Sequence, residues 1–199
     1  RLTMNPMAHR VAFLALLALA GPSAAGVLIA GAHHTCLRAI DHSVRCWGEN
    51  DAGQLGNGSD VGSNVPAVVS NLADASQLAA GVRHTCAVLV GGGMRCWGDN
   101  TDGQLGDGTT TSSNEGVAVV GISTAVKASA GNRHSCALLG GNAGVRCWGA
   151  NSSRQLGDGM PVGSLTPVAV DQIAGSSDIA SGDIHSCAIL TGGAMKCWG

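Results

Sequence analysis

The chain has 199 residues, 31 of them Gly, with 45% hydrophobic, 12% charged and 3% aromatic side chains and a net charge of −2. Gly at roughly twice its usual frequency argues against a helical bundle, since each Gly costs a helix about 1 kcal/mol relative to Ala, and the apolar fraction argues against a disordered chain. The 11 Lys and Arg form no cluster, which argues against a nucleic-acid partner, and an even count of eight Cys points to an oxidising compartment.

Met4 and Met7 are candidate starts. His9 and Arg10 then precede the uncharged run Val11–Ala20, which Gly21-Pro22 breaks before the small residues Ser23-Ala24-Ala25. A short basic segment, an apolar core and a small-x-small exit form the pattern of a secretory signal peptide, assigned to residues 1–25. A membrane anchor is the competing reading, but ten apolar residues before a Gly-Pro break are too short to cross about 30 Å of hydrocarbon. No membrane span is expected to remain after cleavage, and the mature protein is expected to be secreted, periplasmic or held at the cell surface.

The remainder, residues 26–199, is organised by a repeat of about fifty residues. His34-Thr35-Cys36, His84-Thr85-Cys86, His134-Ser135-Cys136 and His185-Ser186-Cys187 follow one another at spacings of 50, 50 and 51. Cys46-Trp47-Gly48, Cys96-Trp97-Gly98, Cys147-Trp148-Gly149 and Cys197-Trp198-Gly199 do so at 50, 51 and 50. Gly53-Gln54-Leu55-Gly56, Gly103-Gln104-Leu105-Gly106 and a degenerate Arg154-Gln155-Leu156-Gly157 lie between them, each followed by Asn-Gly or Asp-Gly. Within the second repeat, Val65–Val69, Ser76–Ala80, His84–Leu89 and Met94–Trp97 read as short strands separated by Gly, Asn and Asp clusters, and Leu28–Gly31 reads as the first strand of the array. Four short strands per fifty residues match a propeller blade.

These motifs resemble the RCC1 (regulator of chromosome condensation) repeat family over residues 27–199, with its Cys-containing secreted bacterial members as the nearest subset. The resemblance implies an all-β, RCC1-like β-propeller with about four blades present, a fragment of a seven-bladed ring. The fourth unit lacks a Gly-Gln-Leu-Gly arm, and an open arc leaves an unpaired strand edge that folded proteins normally cover. The namesake's activity is nucleotide exchange on a small GTPase, but a fold does not by itself carry a function.

Each unit has one Cys on each of two successive strands, 10 residues apart in three units and 11 in the third, where the Gly140–Gly144 turn can absorb the extra residue. Directly opposed antiparallel residues are close enough for a disulfide. The repeat then selects Cys36–Cys46, Cys86–Cys96, Cys136–Cys147 and Cys187–Cys197. Zinc, held for instance by His84, Cys86 and Cys96, is an alternative that lacks a recurring fourth ligand, and buried reduced thiols are another.

The four recurring His sit in identical contexts, as scaffold residues do, whereas an active site needs unlike groups converging. No catalytic residue, metal site or cofactor is assigned. Asp99–Gly103 departs from a calcium loop, with Thr110 where the final Glu belongs, so its Asn and Asp are expected to satisfy turn backbone. The four Trp are expected to pack between blades with their N–H bonded to a loop.

Binding specificity on a repeat scaffold resides where the units differ. Those segments are Asp60-Val61-Gly62-Ser63, Thr110-Thr111-Ser112-Ser113 and Met160-Pro161-Val162-Gly163, so Asp60, Val61, Ser63, Thr110, Thr111, Ser112, Met160, Pro161 and Val162 are the candidate binding residues. The expected function is an extracellular, non-catalytic binding or scaffold module for an unknown protein or cell-surface ligand, glycans included. An exchange-factor-like regulator and an accessory domain of a larger secreted enzyme are the alternatives.

Overall fold

The computed structural model describes residues 26–199; the signal-peptide assignment, residues 1–25, lies outside them. All regular structure among the described residues is β-strand, in four antiparallel sheets that follow one another along the chain. Blade 1 holds β1 (Val27–Ala30), β2 (His34–Arg38), β3 (Val44–Gly48) and β4 (Ser63–Val68). Blade 2 holds β5 (Ala75–Ala80), β6 (His84–Leu89), β7 (Met94–Gly98) and β8 (Ser113–Ala118). Blade 3 holds β9 (Ala125–Ala130), β10 (His134–Leu139), β11 (Val145–Gly149) and β12 (Ser164–Ala169), and blade 4 holds β13 (Ser176–Ser181), β14 (Ser186–Leu190) and β15 (Met195–Trp198). Strands pair in chain order within each sheet, and β1, β5, β9 and β13 lie side by side as the inner strands of the arc. The architecture is that of a β-propeller fragment.

The strands form where alternating or wholly apolar runs are cut by turn residues. β6 and β10 are sandwiched between neighbouring blades and are buried along almost their whole length, so both faces of these strands are apolar or hydrogen-bonded. The outer strands β4, β8 and β12 face solvent and carry Asn, Glu, Thr and Pro, the last tolerated because an outer strand has one free edge.

Opposed pairs in the two middle strands carry the cysteines: Cys36 faces Cys46, Cys86 faces Cys96, Cys136 faces Cys147 and Cys187 faces Cys197. Each pair is joined as a disulfide across 4.0–4.1 Å between Cα atoms, and the extra residue of blade 3 is taken up in the turn between β10 and β11. Closing loops of 10 or 11 residues restricts the unfolded chain by a little under about 3 kcal/mol each.

The three cores lie between blades. In the first, Cys36, Val44, Cys46, Leu55 and Val69 of blade 1 pack on Leu78, Ala87 and Trp97 of blade 2, and equivalent residues repeat the packing twice. Polar links cross the same interfaces. The carbonyl of Gln54 accepts the indole N–H of Trp97 at 2.9 Å and the hydroxyl of Thr85 at 3.0 Å. With its hydrogen committed there, Thr85 Oγ1 must accept from His34 Nε2, 2.7 Å away. The carbonyls of Gln104 and Gln155 take Trp148 with Ser135, and Trp198 with Ser186, while His84 and His134 donate to Ser135 and Ser186. The hydroxyl direction therefore fixes each imidazole as the Nε2–H tautomer, and Nδ1 of His34, His84 and His134 is left a bare, buried lone pair. Burial first, and neighbouring imidazoles second, hold these side chains neutral, with pKa values lowered to about 4, 3 and 4.

Three outcomes follow from this packing. Gly106 and Gly121 share a left-handed φ of 71° and 70°, but a Cβ on Gly106 would lie 2.6 Å from Trp148 Nε1 while one on Gly121 meets nothing within 4 Å. Denaturant unfolding should show Gly121→Ala losing about 1 kcal/mol from backbone strain alone and Gly106→Ala about 3 kcal/mol or more. In dilute solution, mild reductant followed by alkylation mapping should open Cys187–Cys197 first, because Cys197 is exposed while the other three pairs are 0–1% exposed. Finally, above pH about 6.5 the histidines are neutral folded or unfolded, but between there and their lowered values only the unfolded chain takes up protons. The melting temperature should hold above pH 6.5 and fall steadily to about pH 4, with a shallower slope in His84→Gln.

Candidate functional site

The turns between first and second strands and the long arms between third and fourth strands emerge on the same face. The arms span residues 49–62, 99–112 and 150–163. Each is built around one buried Asn: Asn50, Asn100 or Asn151, all 0–2% exposed. Asn50 Oδ1 accepts the backbone N–H of Leu55 at 2.8 Å, and its Nδ2 donates to the carbonyls of Ser59 and Val61 at 2.7 and 3.1 Å. Asn100 takes Leu105 and the carbonyls of Thr109 and Thr111; Asn151 takes Leu156 and those of Met160 and Val162. Inner-arm leucines Leu55, Leu105 and Leu156, each 0% exposed, then anchor the arm in the core.

The candidate binding residues fall on this frame. Asp60, Thr110 and Pro161 stand at the tips, each between the two carbonyls that the Asn holds, with Val61, Thr111, Met160 and Val162 beside them, all exposed. The fold fixes these residues through their backbone and leaves most of their side chains free. Ser112 combines both parts, because its hydroxyl also accepts the backbone N–H of Asn100 at 3.1 Å. Ser63 stands apart from the others. It opens β4, bonds the carbonyl of Val65 at 2.7 Å, and has equivalents in Ser113 and Ser164 that bond Glu115 and Thr166 in the same way. It is a recurring strand-opening residue.

The structure gathers arms 1 and 2 around a polar cleft of about 380 Å³ lined by Asp51, Asp60, Arg83, Asp99, Ser112 and Asn114. Arg83, from the turn before β6, reaches across the blade boundary to Asp51 at 2.8 Å, and Asn114 donates to Asp60 at 3.2 Å. The next boundary carries Arg133 on Asp102 at 3.1 Å. The third has Ile184 in place of the arginine, opposite an arm that bears Ser152 and Ser153 at the positions of Asp51 and Asp102. Sequence reading missed these arginines; a basic residue directly before His84 and His134, with an acid in the preceding arm, was the available signal. Met160, Pro161 and Val162 belong to the third arm and do not line the cleft.

A second hollow of about 530 Å³ lies where the inner strands end and their turns begin, with Gly31, Gly81, Gly131 and Gly182 in its lining. Among the described residues no group of three or more His, Cys, Asp and Glu converges in a metal-binding arrangement, and no helix is long and apolar enough to cross a membrane. The four disulfides suit an oxidising environment.

No curated protein matches the chain. Among solved structures, yeast RCC1 (Prp20) in its complex with Kap60 is similar over 87% of this chain and 43% of its own, with 20% identity and a TM-score of 0.77. Human WBSCR16 is similar over 89% of this chain and 48% of its own, at 24% identity and a TM-score of 0.77. The ectodomain of the Physcomitrella patens receptor kinase CR4 is similar over 90% of this chain and 43% of its own, at 26% identity and a TM-score of 0.54. The chain thus spans less than half the length of each of these structures. The Regulator of chromosome condensation (RCC1) repeat matches residues 41–88, 92–138 and 144–189, and a second RCC1 repeat pattern matches 75–104 and 125–155. Repeats matched over more than two thirds of the sequence, on a fold of stacked four-stranded blades, make this chain a member of the RCC1 repeat family.

Proposed function

We propose that the chain is an extracellular, non-catalytic binding module: residues 1–25 direct export, and residues 26–199 present the arm face to a protein or glycan ligand. One observation carries the reading. Buried Asn50, Asn100 and Asn151 hold the arms by backbone carbonyls, so the side chains that differ between units project from a rigid frame at little cost to the fold. The disulfides support export, and the complex of yeast RCC1 with Kap60 supports a protein ligand over a small molecule.

An exchange-factor-like regulator is the second reading, favoured by the fold shared with yeast RCC1. The two separate by nucleotide release from a purified small GTPase, which the binding-module reading expects the protein not to accelerate.

The binding test places a photo-crosslinking residue at exposed Val61 or Val162 on the arm face and, as a control, at exposed Val90 on the opposite face. Incubated with the cell-envelope and secreted proteins of its source, the mature protein should give a discrete adduct from positions 61 or 162 and none from position 90. Adducts from position 90 alone, or equally from all three, would overturn the use of the arm face. Mass spectrometry of the exported protein should find Gly26 at the N-terminus, and an intact residue 1–25 segment would overturn signal cleavage.

A further inference from the structure

Position 57 differs between the arms in an atom that the fold does not use. Arms 2 and 3 carry Asp107-Gly108 and Asp158-Gly159, whereas arm 1 carries Asn57-Gly58, the only Asn-Gly pair in the chain. In each arm one side-chain oxygen of this residue accepts two donors, the Nδ2 of the buried Asn and the backbone N–H two residues on. Asp107 Oδ1 takes Asn100 at 3.2 Å and Thr109 at 3.0 Å, and Asp158 Oδ1 takes Asn151 at 3.0 Å and Met160 at 3.1 Å. Asn57 Oδ1 takes Asn50 at 3.3 Å and Ser59 at 3.2 Å, and its own Nδ2 donates to nothing among the described residues. The arm requires an oxygen here; the amide nitrogen is spare.

A spare amide directly before a glycine is a leaving group beside an unhindered nucleophile. Gly58 has no side chain to shield its nitrogen, adopts a φ of 78° and is exposed. Its N–H is nevertheless committed, donating at 3.0 Å to the carbonyl of Asn114 in β8 of the next blade. While that bond holds, the nitrogen keeps its proton and cannot attack, just as an amide held in a hydrogen bond cannot exchange. The contact between arm 1 and blade 2 therefore controls whether the two groups react.

We propose that Asn57 is a site of spontaneous deamidation, controlled by release of arm 1 from blade 2. When the arm lifts, the Gly58 nitrogen gives its proton to solvent base and attacks Asn57 Cγ. The Cγ–Nδ2 bond breaks, ammonia leaves with a proton from solvent, and a five-membered succinimide closes. Water then opens the ring, so the net change is one water consumed and one ammonia released. Opening at Cγ leaves an aspartate, the residue type of the other two arms, with an oxygen still placed for Asn50. Opening at the main-chain carbonyl leaves an isoaspartate, whose extra backbone methylene shifts Ser59 and Val61 relative to Asn50, the side chain that holds both of their carbonyls. The first product preserves arm 1. The second releases its tip at Asp60 and Val61, whereas arms 2 and 3 have no amide at this position to lose.

The protein is held at mildly alkaline pH and mapped over time by peptide mass spectrometry, beside a synthetic peptide of residues 53–62. Asn57 should convert before any other described Asn, to both products, and at least about tenfold more slowly in the folded protein than in the peptide. Asn50→Ala removes the grip on the arm; with all four disulfides and the exchange protection of blades 3 and 4 retained, it should raise the Asn57 rate about tenfold. Asn57→Asp should leave the melting temperature unchanged. Hydrogen exchange should rise across residues 55–61 in the isoaspartate form and not in the aspartate form. Equal rates in folded protein and peptide would overturn control by the arm, and an Asn57 that stays intact in Asn50→Ala would overturn the site. A lowered melting temperature in Asn57→Asp would overturn the spare amide, and equal exchange in the two product forms would overturn release of the tip.

Discussion

The structure depends on satisfying one buried acceptor per blade, the carbonyl of Gln54, Gln104 or Gln155. A buried carbonyl has two lone pairs, and leaving it unmet costs about 1–3 kcal/mol. Here it receives two donors from the next blade, an indole N–H and a hydroxyl. The hydroxyl, having spent its hydrogen, then needs a donor of its own, and the His of the earlier blade supplies it. One acceptor thus dictates three residue types on two blades. It also explains why the His-[Ser/Thr] and Cys-Trp pairs keep nearly fixed spacing: Thr85 faces Trp97 across β6 and β7, and Ser135 faces Trp148 across β10 and β11, so both donors leave one rung of the ladder.

The arm face inherits its rigidity from the same requirement. For the Gln carbonyl to meet its donors, the arm that carries it must hold one conformation, and the buried Asn enforces that by gripping Leu55 at one end and Val61 at the other. The grip acts on backbone, so most tip side chains are released from structural duty, Asp60 alone accepting from Asn114. Substitution from Asp60 to Thr110 to Pro161 at the equivalent tip leaves the Asn contacts in place, since each arm offers the same carbonyls. Rigid backbone with interchangeable side chains is the arrangement a recognition surface needs.

The blades and disulfide partners were legible in the sequence because they rest on short-range signals repeated four times: strand runs, turn glycines and opposed cysteines. The Trp and His roles were legible in kind but not in detail, since nothing local to His34 shows that Thr85, 51 residues on, accepts its proton. The boundary pairs Arg83–Asp51 and Arg133–Asp102 were legible only as a basic residue before each His and an acid in the preceding arm, a faint signal because each pair joins two different units and the pattern lapses at Ile184. Ser63 was grouped with the variable tips although Ser113 and Ser164 repeat it, an equivalence that the single extra residue of the third unit obscures.

Arg154 shows that the repeats are not interchangeable. At the equivalent positions Gly53 and Gly103 have two reasons to be glycine: φ of 82° in both, and a neighbouring outer strand whose Asn114 or Leu165 Cα would lie 2.6 or 2.9 Å from a Cβ. Arg154 adopts φ of 63°, so the backbone demand persists. The conformational cost is about 1–2 kcal/mol, and the hydrogen bond from its guanidinium to the carbonyl of Gly159 offsets part of it. Ile184 departs from the repeat together with its partners, standing where an arginine would face the uncharged Ser152 and Ser153. A residue at a blade boundary changes in step with the neighbour it meets, so departures from the repeat come in facing sets.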